Sequence, residues 1–163
     1  MSLFIVNTRL NIQKLCKNIV LSLGIGILST LITGRTYEIY IALEAPSFAP
    51  PAALFPIIWT VLYISIGIAA YMAESICHNQ YLQSSGDPFL KMHYLQLFLS
   101  FMWFIVFFIF DSPIAALITM ILLIISILLI TVGFAKHNRY TLVFTVPYLL
   151  WHFYVALINI ALL

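Results

Sequence analysis

Three stretches of this 163-residue chain set an indole and a hydrogen-bonding side chain on one helical face. At about 100° per residue, Gln96, Ser100, Trp103 and Phe107 share one side of a helix, and Trp59, Tyr63, Ile66 and Ala70 share another. Tyr148, Trp151, His152, Val155 and Asn159 fall within roughly 100° of one another on a third. Indole and phenol faces stack on flat apolar molecules. A few amide and hydroxyl groups among them give the composition of an apolar pocket with orienting polar atoms. The plainer reading of Gln96, Ser100 and Asn159 is that they hydrogen-bond helix to helix. His152 is the one ionisable side chain deep in such a stretch. A neutral imidazole there can ligate a haem iron, meet a carboxylate, or bond a neighbouring helix. His78, His93 and His137 fall at loops or helix ends and are expected to be solvated. No nucleophile–base pair or phosphate-binding loop is present, and Cys16 and Cys77 make neither a metal spacing nor a disulfide framework.

The elements that must carry these residues follow from the charges. Hydrophobic residues make up 64% of the chain, and Asp, Glu, Lys and Arg total only twelve. About a quarter of a soluble domain is charged, so this chain cannot cover a water-facing surface. The charges leave free windows at 18–34, 45–73, 92–110, 112–135 and 140–163, of 17, 29, 19, 24 and 24 residues. A helix crossing the hydrocarbon layer needs about 20 apolar residues. The reading is an all-α membrane protein, a single bundle of five transmembrane helices near 16–32, 55–73, 92–110, 114–135 and 140–163, with the lipid bilayer as its first partner. No span carries an Asp or Glu, which argues against proton-coupled transport. A net charge of +2 argues against a nucleic-acid partner.

The connections carry their own signals. The first span is read as retained rather than cleaved, because no small-residue cleavage site follows it promptly. Its Gly24, Gly26, Ser29 and Thr30 suit a close helix contact. Residues 33–54, with Pro46, Pro50 and Pro51 among Ile39, Tyr40, Leu43 and Phe48, are expected to form a structured lid on the end of the bundle. Ser84–Pro88 reads as a turn cluster, and Asp111-Ser112-Pro113 as a tight turn capping the fourth span. That fourth span, nearly all Ile, Leu and Val, is expected to be the most lipid-exposed. Pro147 interrupts the backbone bonding of the fifth. Arg9, Lys14, Lys17, Lys91, Lys136 and Arg139 fall on one side of this topology and only Arg35 on the other. The positive-inside rule then puts the N-terminus in and the C-terminus out, with the lid outside, for a plasma membrane. In a eukaryote the mitochondrial outer membrane is the expected host.

Four motifs in order resemble the translocator protein family, also called tryptophan-rich sensory proteins. They are Leu43–Pro51, then Trp59-Thr60-Val61-Leu62-Tyr63 with Gly67, then Gln96-Leu97 with Trp103 and Phe107-Phe108, and finally Pro147–Trp151 with Asn159. The resemblance covers about residues 20–160. It implies a five-helix bundle, commonly a homodimer, that binds porphyrins and haem-related tetrapyrroles as ligands rather than resident cofactors. Animal members also bind cholesterol and synthetic drugs. Carried over by motif, the pocket takes Phe48 from the lid, Trp59 and Tyr63, then Ser100, Trp103 and Phe107, and Tyr148, Trp151, His152, Val155 and Asn159.

Five positions depart from the family pattern. Phe48 and Ile39 stand where Trp is usual, Ser100 where Asn is usual, His152 where an apolar residue is usual, and Val155 where a small one is usual. No Lys or Arg follows Arg139, so the C-terminal cholesterol motif is absent. The function expected is a membrane receptor for tetrapyrroles, serving their transport, sensing or disposal. The alternatives are a small-molecule carrier, or light- and oxygen-dependent porphyrin breakdown with Trp59 and Trp151 as oxidisable indoles.

Overall fold

The structure is a computed structural model that describes residues 10–43, 46–76 and 88–163. Cys77, His78, Glu44, Asp87, Arg9 and most of the Ser84–Pro88 cluster lie outside them. The described residues are helical apart from their connections: α1 (Ile12–Thr33), α2 (Thr36–Ala42), α3 (Leu54–Ile76), α4 (Pro88–Phe108), α5 (Pro113–His137) and α6 (Leu142–Ala161). All but α2 are long and apolar enough to cross a membrane. Helices satisfy their backbone groups internally, as the hydrocarbon layer demands, save where Pro147 inside α6 lacks an N–H to donate.

Local chemistry sets the ends. The Asn11 side chain caps α1 by accepting from the Lys14 amide at 3.1 Å. Pro113 occupies the first turn of α5, where its missing N–H costs nothing, with Ser112 at the capping position but making no side-chain bond. Asp111 turns the chain at φ 45°, a left-handed conformation that Asp tolerates better than most residues. The α4–α5 hairpin expected from this motif is present. A short 3-10 turn over Arg139–Thr141 leads into α6.

The five long helices close into a ring in the order α1, α3, α6, α5, α4, so α3 and α4 face each other across the interior. α1 and α3 touch most closely at Gly67, where any Cβ would meet the Ile19 Cα at 2.8 Å and the Asn18 carbonyl at 2.9 Å. Beyond it, Asn18 donates to Glu74 at 2.8 Å, Lys14 approaches Glu74 at 3.7 Å, and the Asn11 amide donates to the Tyr71 hydroxyl. This end of the seam, away from the lid, is pinned by backbone contact and by polar bonds.

Two expectations change here. α5 is the most buried of the spans, with 44% of its apolar window inside the protein against 17% for α1. Met120, Leu123, Ile127, Ile130 and Phe134 all face the interior. Lipid and core are equally apolar, so a run of Ile and Leu does not say which it meets. His93 is fully buried rather than solvated, because α4 starts at Pro88 and places it in the second turn, facing Phe134 of α5.

Candidate ligand-binding site

The lid is built on hydroxyl groups. α2 presents Tyr40, whose hydroxyl donates to the Pro50 carbonyl at 2.8 Å, and Tyr154 of α6 donates to the Phe48 carbonyl at 2.5 Å. Burial, and after it the neighbouring Tyr154, raises the Tyr40 phenol above its ordinary value, so it remains a donor at physiological pH. Arg35 pairs with Glu38 at 2.5 Å, one turn along the same surface. Phe48 itself is half exposed and rests its ring against Tyr154. It lies at the α6 edge of the lid, apart from the walls of the cavity described below.

Beneath the lid the aromatic residues of α3, α4 and α6 meet at Trp59. Its ring centroid lies 6.0 Å from Trp103, nearly parallel, 6.4 Å from Trp151, 5.6 Å from Tyr63 and 5.2 Å from the perpendicular ring of His152. Phe107 stacks on Trp103 at 5.2 Å, and Phe55 bridges Trp59 to Trp151 and Tyr40. Val155 and Asn159 are buried one and two turns beyond Trp151 on α6. Trp151 is half-buried and borders a shallow open groove with Pro50, Pro147 and Leu150.

A polar seam runs through the same interior. Tyr63 and Ser100 share a hydrogen bond at 2.6 Å, and the Tyr148 hydroxyl, also near Ser100, donates to Gln96 Oε1 at 3.0 Å. The Gln96 amide nitrogen lies 3.3 Å from His93 Nδ1, so His93 accepts there. This seam is the helix-to-helix bonding expected of Gln96 and Ser100. Asn159 differs, since neither of its amide atoms has a partner. The three indole nitrogens and His152 Nε2 are likewise buried without partners. Four unpaired polar atoms, the three indole nitrogens and His152 Nε2, thus gather in the aromatic cluster, with the two of Asn159 two turns beyond Trp151 on α6, each costing roughly 1–3 kcal/mol when left unsatisfied.

The open space lies on the other side of Trp59. A cavity of about 350 Å³ is walled by Gly26, Ile27 and Thr30 of α1, Tyr37 and Tyr40 of α2, Phe55, Trp59 and Tyr63 of α3, and Phe104 and Phe108 of α4. Its volume lies at the lower end of the range for small-molecule sites. Gly26 is required at this wall, because any Cβ there would meet the Tyr63 ring at 2.5 Å. Of the residues expected in the pocket, Trp59 and Tyr63 line this cavity. Ser100, Trp103, Tyr148, His152, Val155 and Asn159 belong to the packed interior beside it, with Phe107 partly buried against Trp103 and Trp151 half-buried at the outer groove. Sequence reasoning missed the walls supplied by α1 and α2, although Gly26 and Thr30 had stood out as small residues on a contact face.

Among the described residues no three His, Cys, Asp or Glu side chains gather as a metal site. Comparison with known proteins agrees with this architecture. The TspO/MBR family pattern matches residues 18–163. The chain is 34% identical over 154 residues to the tryptophan-rich protein TspO of Archaeoglobus fulgidus, covering 94% of this chain and 97% of that one. It is 30% identical over 144 residues to the protein of the same name from Chlorobaculum tepidum, covering 88% and 89%. The protein CrtK of Rhodobacter capsulatus is 28% identical over 112 residues, covering 69% and 68%. A ring of five membrane-crossing helices under a proline-rich lid, matched by that pattern along nearly its whole length, makes this chain a multi-pass integral membrane protein of the TspO/MBR family.

Proposed function

We propose that the protein is a membrane receptor for tetrapyrroles, binding a flat macrocycle beneath the lid for its transport, sensing or disposal. The observation that carries this reading is the position of Trp59. Its indole lines the cavity and also meets the cluster where the three indole nitrogens and His152 Nε2 lack partners. Flat aromatic walls favour a flat apolar ring through stacking. The unpaired indole N–H groups and Asn159 Nδ2 are donors suited to carboxylate substituents at the ring's edge. A cavity of about 350 Å³ is small for a macrocycle, so binding requires the Trp59 indole to turn.

The lid closes the site through hydrogen bonds made by Tyr40 and Tyr154, which can break and reform without unfolding a span. Lys14, Lys17, Lys91, Lys136 and Arg139, at the helix ends away from the lid, support a topology with the lid outside.

Titration of the purified chain with protoporphyrin, following tryptophan fluorescence, tests the reading. Saturable quenching that weakens when Trp59 is replaced by Phe is the expected result. Quenching that never saturates, or that is indifferent to Trp59, would overturn it.

A further inference from the structure

The cavity beneath the lid reaches the side of the bundle at the depth of the hydrocarbon layer. Its deep wall is buried, with Trp59 and Tyr63 of α3 at 4% and 2% exposed and Phe104 of α4 at 5%. Its rim is not: Ile27 and Leu31 of α1 are 58% and 72% exposed, and Thr60 of α3 is exposed as well. At 1.5 Å per residue, Leu31 and Ile27 lie about 3 and 9 Å inside the lid-side end of α1 at Thr33. Thr60 lies about 9 Å inside that of α3 at Leu54. Half the hydrocarbon layer is about 15 Å thick. The two helices are in backbone contact at Gly67, but here the cavity separates them as a slot. Lipid, not water, stands outside it.

The walls select an apolar guest. Six lining side chains carry hydroxyls, and four are engaged within the protein. Thr30 donates to the Gly26 carbonyl at 3.1 Å, Thr60 to the Pro56 carbonyl at 2.8 Å and Tyr40 to the Pro50 carbonyl, while Tyr63 bonds Ser100. The other two, Thr36 and Tyr37, stand at the start of α2. A buried water needs two to four polar partners, which such walls do not offer. A flexible chain can enter the slot as it stands, whereas a macrocycle requires Trp59 to turn. At roughly 30 Å³ per water-sized group, about 350 Å³ takes about a dozen methylenes. Moving them from lipid to protein gains no hydrophobic free energy, since both are apolar; the gain is the dispersion contact of a filled void. Arg35 directly precedes Thr36 at this rim. It pairs with Glu38, but both side chains are largely exposed and such pairs hold weakly, so the guanidinium can also meet a phosphate.

We propose that the cavity is a lateral slot for one acyl chain of a bilayer phospholipid, which enters between α1 and α3 and leaves its phosphate beside Arg35. The proposal stands on the geometry of the slot and not on the tetrapyrrole reading. A macrocycle would have to displace the chain to reach Trp59, so lipid competes with it.

Bromine quenches tryptophan only at short range, so phosphatidylcholine brominated midway along one acyl chain reports where that chain lies. Two forms of the full chain are reconstituted in vesicles with and without the label: one keeps only Trp59 (Trp103→Phe, Trp151→Phe), the other only Trp151 (Trp59→Phe, Trp103→Phe). Buried Trp59 is expected to lose at least half its emission, as half-buried Trp151 does to the surrounding lipid. Gly26→Leu should cut the quenching of Trp59 at least threefold and leave that of Trp151 unchanged. Because this substitution strains the Tyr63 ring, Ile27→Phe with Thr60→Phe, both at exposed rim positions, closes the mouth without disturbing the core and should act alike. Arg35→Gln should shift the quenching of Trp59 to about twofold higher mole fractions of labelled lipid. Quenching of Trp59 that is absent, or that persists in both cavity variants, would overturn the proposal. Labelled free fatty acid that quenches Trp59 saturably where labelled phospholipid does not would overturn the phospholipid as occupant.

Discussion

The two sides of Trp59 are built from the same kinds of residue and have opposite properties. Toward α4 and α6 the rings of Trp103, Trp151, Phe107 and His152 fill the interior, and the polar atoms among them lack partners. Toward α1 and α2 there is room, but the walls are nearly all apolar. Capacity and recognition are thus separated by one side chain. At the far end the α1–α3 seam is closed: Gly67 brings the two helices into backbone contact and Asn18 and Glu74 satisfy each other, although His93 Nε2, Thr131 Oγ1 and Thr145 Oγ1 are buried without partners on the other helices. A region with good packing and paired polar groups serves stability alone. A region that leaves polar atoms unpaired is less stable than it need be, and that deficit is the form binding energy takes before a ligand arrives.

Removing the partition is the harshest way to break this comparison. Trp59→Ala should weaken protoporphyrin binding about 30-fold, since a buried aromatic anchor contributes about 2 kcal/mol or more. Trp151→Ala, at a half-buried ring on the outer groove, should cost only a few-fold. If the order is reversed, the binding energy lies along α6 and not at the partition.

Filling the room without touching the cluster is the next step. Gly26→Leu drives a side chain into the Tyr63 ring at the cavity wall. The added side chain also takes volume the macrocycle would occupy, for which a tenfold loss of affinity corresponds to about 1.4 kcal/mol, separate from the ~1–3 kcal/mol that overpacking takes from folding stability. The binding isotherm should shift by about that factor while the helical content by circular dichroism stays unchanged. Native affinity in this variant would mean the macrocycle does not use the cavity.

The cluster side is sharpened by a change that should help stability. Asn159→Leu removes two unpaired buried atoms, so the ligand-free protein should melt about 2–4 °C higher for each kcal/mol regained. Affinity should meanwhile fall several-fold, because the amide is then missing as a donor. A variant that is less stable and binds normally would show that Asn159 is satisfied within the protein.

How much of this was legible beforehand depends on which physical signal each feature leaves. The five spans, the Asp111–Pro113 hairpin and the three indole-bearing faces follow from charge spacing and from the 3.6-residue period, and the structure brings those faces together at Trp59. The burial of α5 left no signal, since lipid and protein interior select the same side chains. His93 was misplaced by a helix start four residues early. The cavity was missed because a void is set by how two helices diverge, and Gly26 reads identically whether it meets a backbone, as Gly67 does, or the Tyr63 ring. The tautomer of His152 was equally invisible, being fixed by the carbonyl of Tyr148 one helical turn away.

The smallest expected effect lies at the lid, where the two sides of Trp59 share one cover. Tyr154 reaches from α6 to the Phe48 carbonyl, and its ring also packs on Trp151 at 5.3 Å. Tyr154→Phe keeps the ring contacts and removes one exposed hydrogen bond, worth about 0.5–1 kcal/mol net. That is enough to raise the rate of ligand release by about two- to fivefold, with equilibrium affinity following, as most affinity changes within one site do. Tyr40→Phe, which loosens the same loop from the cavity side, should have a comparable effect, because both hydroxyls hold backbone carbonyls of one loop. Stopped-flow displacement of bound porphyrin measures this directly. If only Tyr40→Phe speeds release, the lid opens over the cavity and the α6 edge acts as its hinge; if only Tyr154→Phe does, the ligand leaves past α6.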